Sequence, residues 1–122
     1  MATLRNTQND FDPSLEAWWT LVHPMAVMIE KYITTEPQEK PDNVIMECHA
    51  DITKIQAQLE SIPITDDSQA MHSYLLRATN YLAHAYAEHD AGRSHESQFY
   101  YYNALTELSK LHHQLVVCGL VG

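Results

Sequence analysis

A chain of 122 residues, 45% apolar and 19% charged, is long enough to fold around one core and too apolar to stay disordered. Seven basic residues stand against sixteen acidic ones, a net charge of −9. The basic residues nowhere cluster, which excludes a phosphate-tracking surface for DNA or RNA and a polybasic patch for anionic lipid.

The acidity is uneven. Residues 1–66 hold four basic and eleven acidic side chains, net −7, whereas residues 93–122 balance Arg93 and Lys110 against Glu96 and Glu107. Such a surface serves solubility first, and it also suits an acidic decoy or inhibitor of a basic protein. Met1–Asp10 contains no apolar run of the kind a signal peptide needs, and Leu115–Val121 is too short to cross a bilayer, so the cytoplasm is the expected location. Three glycines are too few for β-hairpins or phosphate-cradling loops.

Residues 1–11 read as a flexible N-terminal segment. The first predicted helix covers about 12–34, with Asp12 as cap and Pro13 at the first helical position, where a missing amide costs nothing. Leu15, Trp18, Val22, Met25, Ile29 and Tyr32 recur at spacings of three and four and form its apolar stripe. Trp19, Ala26 and Ile33 widen that stripe on one side, Leu21 and Met28 on the other. Pro24 lies inside the helix and predicts a bend.

After the break Thr34–Pro41, a second helix is predicted over about 42–62, with a narrow seam of Ile45, Cys48, Ile52, Ile55, Leu59 and Ile62. The third, about 67–91, follows Pro63–Asp67. Asp66 and Gln69 have the spacing of a capping box, Met71, Leu75, Ala78, Leu82, Ala85 and His89 share a line with Tyr74 and Tyr81 beside it, and Gly92 is placed to close the helix in a left-handed turn. The fourth, about 94–118, starts at Ser94 as cap, with Tyr101, Leu105, Leu108, His112 and Leu115 on its central line. No segment alternates with a period of two, so no strand is predicted. Short connections between four amphipathic helices predict an all-α, four-helix, up-down-up-down antiparallel bundle as a single domain over residues 1–122. In that bundle helices 2 and 4 run parallel. Cys48 and Cys118 then lie ~25 Å apart along the axis, too far for a disulfide, and both are expected as free thiols.

Eight histidines invite a metal reading. His84 and Glu88 are four apart on one helix face, and the bundle places His49 and Glu30 at a similar height. These four could hold a divalent transition metal as bundle metalloproteins or metal-dependent bundle enzymes do. His112 falls on the core line and is expected as a buried, hydrogen-bonded imidazole. No nucleophile is matched to it, and no catalytic constellation is visible.

The aromatic residues carry the leading reading. Trp18, Trp19, Phe99, Tyr100, Tyr101 and Tyr102 all belong to helices 1 and 4, the first and last of the bundle and hence neighbours. Tyr100 groups with Glu96, Asn103, Glu107 and Lys110 on an outer face. The apolar arcs of helices 1 and 4 exceed what one core needs, and merged apolar surface of this kind marks an interface. Trp18, Trp19, Phe99, Tyr102 and Val116 are the expected contacts of a non-enzymatic interaction protein, a homodimer or the binder of a helical partner.

Overall fold

The computed structural model describes residues 13–121. The expectations for residues 1–11 and for Asp12 as a cap lie outside them. Four helices make a helical bundle: α1 (Pro13–Ile33), α2 (Asp42–Ser61), α3 (Gln69–Asp90) and α4 (Ser94–Val117). A short 3₁₀ turn, Pro37–Glu39, sits in the α1–α2 connection, and no strand occurs among the described residues. One core runs through all four helices, and both cysteines are free.

The helix ends follow local chemistry. Gly92 and Gly119 adopt φ of 82° and 74°, which only a residue without Cβ takes cheaply. At the end of α3, Gly92 N–H donates to His89 O and Arg93 N–H to Glu88 O, closing the last turn. Two expected caps are corrected. The reciprocal bond before α3 is not Asp66 with Gln69. Thr65 N–H donates to Ser68 Oγ at 3.0 Å, because the chain makes an extra turn at Asp66–Ser68 and buries the small Ser68 while Asp66 stays in water. Ser94 is the first residue of α4 and makes no side-chain cap; its carbonyl accepts from Gln38 Nε2 at 3.0 Å.

α3 lies at the centre and packs most intimately against α4 and then α2. Alanines explain the closeness: Ala78 and Ala85 of α3 and Ala104 of α4 are fully buried, so the backbones approach, and Ser97 Oγ donates to Ala85 O at 2.7 Å. The pairs run antiparallel. Ser97, Tyr100 and Glu107 of α4 meet Ala85, Tyr81 and Arg77 of α3 in reverse order, and His72 and Tyr86 of α3 face Leu59 and Ile45 of α2. α1 stands further off, spaced by Trp18, Ile29 and Tyr32.

The C-terminus of α1 has orphan carbonyls like any helix end, and three other segments supply donors. Tyr86 Oη of α3 donates to Tyr32 O (3.3 Å) and Tyr101 Oη of α4 to Ile33 O (2.5 Å). Lys40 Nζ donates to Tyr32 O (3.2 Å) and Thr35 O (2.7 Å), a cation at the negative end of the helix dipole. Tyr32 in turn donates to Asp51 Oδ2 of α2 at 2.7 Å, and burial together with that carboxylate pushes its hydroxyl up to about 12. Tyr101→Phe keeps the ring and leaves the Ile33 carbonyl unpaired; it is expected to cost about 1–2 kcal/mol in urea denaturation.

Candidate functional site

Between α1 and α4 runs an open groove of about 180 Å³. Ala26, Leu108, Leu111, Leu115 and Val121 make its floor and far end, and Trp19, His23, Glu30 and His112 line it with polar edges. The groove exists because α1 is held away from α4 by its large core side chains, so the small Ala26 leaves a hollow. Trp19 and His23, four residues apart on one face, are in ring contact with centroids 4.8 Å apart and planes tilted by 36°. Glu30 is the one carboxylate among the lining residues, beside two histidines and no lysine or arginine. The lining holds no serine, cysteine or lysine, and its aliphatic side chains offer a seat for apolar groups. Its volume is below the ~300 Å³ at the low end of small-molecule sites.

His112 is the main correction here. It is exposed at the groove and not buried, because α4 rotates toward α3 and brings Leu111 in place of His112 onto the core line. The same rotation buries Glu107, expected on the outer face. Arg77 Nε of α3 reaches Glu107 Oε1 at 2.7 Å, and Lys110 Nζ reaches Oε2 at 3.1 Å. Burial pushes the Glu107 carboxyl up, but the two hydrogen-bonding cations outweigh it and hold it below the usual carboxylate range. Tyr100 is likewise half-buried toward α3, stacked beside Tyr81 and His84.

Four of the five expected contact residues are at the surface. Trp19 is partly buried at the groove; Phe99, Tyr102 and Val116 are exposed on the outer face of α4. Trp18 is not available: its indole is 4% exposed and Nε1–H donates to His72 Nδ1 at 3.0 Å, inside the core. The excess apolar surface also divides. Leu21 and Met28 are exposed on the side of α1 that carries Tyr32 toward α2, away from the groove.

The residues proposed for a metal do not converge. His84 stacks on Tyr100, and Glu88 pairs with Arg93, which holds its carboxyl low. His49 faces a depression between α2 and α3 with Met46 and Asp90, and Glu30 lines the α1–α4 groove. Among the described residues no three His, Cys, Asp or Glu side chains form a metal-holding group.

The histidine that sequence reasoning passed over is His72. It is buried, accepts from Trp18 at Nδ1, and its Nε2 lies 2.9 Å from Leu59 O. Indole only donates and a carbonyl only accepts, so the ring is the neutral Nε2–H form. One imidazole thus ties α1, α2 and α3. Its line on α3, beside Met71 and Leu75, was the available signal.

No described helix is long and apolar enough to cross a membrane. Comparison of the chain with protein-family models, with curated proteins and with solved structures finds no match.

Proposed function

We propose that this chain is a small non-enzymatic interaction protein that works through the face built by α1 and α4, as a homodimer or against a helical partner. One observation carries the reading: α4 turns Phe99 (62% exposed), Tyr102 (53%), Val116 and Val117 away from its own core. Large apolar side chains on one surface helix mark contact surfaces more often than they serve solubility. The adjoining groove, of a size for one or two partner side chains, adds a place to anchor.

Nucleic acid is a poor partner, since the basic side chains are largely engaged within the chain. Arg77 and Lys110 bind Glu107, Arg93 binds Glu88, and Lys40 binds the end of α1. The free thiols suit a reducing compartment, for which the cytoplasm is the natural choice. In size-exclusion chromatography with light scattering, the protein is expected near twice its 14.0 kDa chain mass. A monodisperse monomer at high micromolar concentration removes the homodimer version.

A further inference from the structure

The outer face of α4 presents Phe99, Tyr102, Thr106, Ser109, His113 and Val116, all exposed, at spacings of three, four, three, four and three. This is the spacing of a coiled-coil seam, and it lies opposite the line of Tyr101, Ala104, Leu111 and Leu115 that α4 buries in its own bundle. The seam is also symmetric about its middle. Bulky residues stand at both ends, and two small hydroxyl residues stand at the centre.

We propose that a second copy of this chain docks on this face, its α4 antiparallel to the first across a two-fold axis beside Glu107 and Leu108. This deepens the proposed function and rests on it. Antiparallel pairing makes three layers, each occurring twice: Phe99 on the partner's Val116, Tyr102 on the partner's His113, and Thr106 on the partner's Ser109. A parallel pair would instead set His113 against His113 and align the two helix dipoles.

Three further observations fit. A surface hollow of about 430 Å³, bordered in part by Thr106, Ser109 and His113, gives the central layer room to close. Residues 93–122 sum to zero charge in a chain of −9, so this is where a second acidic copy meets least repulsion. The 24 residues of α4 extend about 36 Å, of a size to reach the ~1,200 Å² at the low end of specific interfaces.

The test combines mass and site-directed cross-linking, in a Cys118→Ser background. Protein carrying Thr106→Cys is mixed with protein carrying Ser109→Cys under mild oxidation. Most of the mixture is expected as a covalent heterodimer, because only this register brings the two sulfurs within disulfide reach. Lys54→Cys, on α2, is expected not to cross-link. Phe99→Glu, at an exposed position, is expected to keep the helical circular dichroism signal and give a monomer mass. A dimer mass without the Thr106–Ser109 cross-link, or one that survives Phe99→Glu, overturns the α4 pairing and leaves self-association by another face. A monomer at every concentration overturns the pairing and leaves only the version of the function that needs a different protein.

Discussion

Trp18→Ala is expected to cost roughly 3–5 kcal/mol of folding stability, the usual range for truncating a buried aromatic to alanine. The indole is 4% exposed and lies 6.1 Å, centroid to centroid, from His72. Its removal opens a cavity where three helices meet and strips His72 Nδ1 of the donor it has among the described residues. The second loss adds to the first, since a buried acceptor left unpaired is penalised in its own right. Trp18→Phe separates the two: it fills much of the space without the N–H, and is expected to cost about 1–3 kcal/mol. Trp19→Ala, at the groove, is expected to cost less than Trp18→Ala because Trp19 is already partly in water. Chemical denaturation of the three variants decides the matter, and a Trp18→Ala penalty no greater than that of Trp19→Ala would refute the assignment.

Acid is expected to loosen the same junction. Burial holds the His72 imidazole below its usual range, and the hydrogen bond to Leu59 offsets this only in part. The folded state therefore binds the proton less readily than the unfolded chain, whose histidine titrates near ~6.5. By linkage the His72 contribution is fully present above about pH 6.5 and is lost as the pH falls from there through the folded-state value. The structure gives the mechanism. A proton on Nδ1 converts the acceptor of the Trp18 bond into a second donor facing a group that can only donate. His72→Gln can donate to Leu59 O and does not titrate. Denaturation midpoints between pH 7.5 and 5 should fall more steeply in the parent protein than in this variant. Parallel curves would show that His72 carries no part of the acid sensitivity.

The four helices were legible because each carries its own apolar period and its own stops. Ile45, Cys48, Ile52, Ile55 and Leu59 are all buried, and Gly92 ends α3 in the left-handed turn its position demanded. Helix rotation was less legible. In α4, Leu105, Leu108 and His112 lie one step around the helix from Ala104, Glu107 and Leu111, and either set makes an acceptable stripe. What chose the second set was Arg77 on another helix, which makes a buried Glu107 tolerable, and the small Ala104, which lets α3 come close. No pattern within α4 announces those two facts.

The amino-acid order alone determined the number of helices, their ends to within a residue or two, the absence of strands among the described residues, and the run of four aromatic side chains, Phe99–Tyr102, on α4. Those properties follow from local periodicity, glycine and proline geometry, and connection length, all of which act within a few residues. Tertiary packing alone decided that Trp18 and His72 form a buried junction, that Glu107 is inside and His112 outside, and that His49 and Glu30 lie in two different hollows, apart from His84 and Glu88. Each depends on the rotation of one helix against another. Side chains distant in sequence set that rotation by competing to fill one core and pair its buried polar atoms.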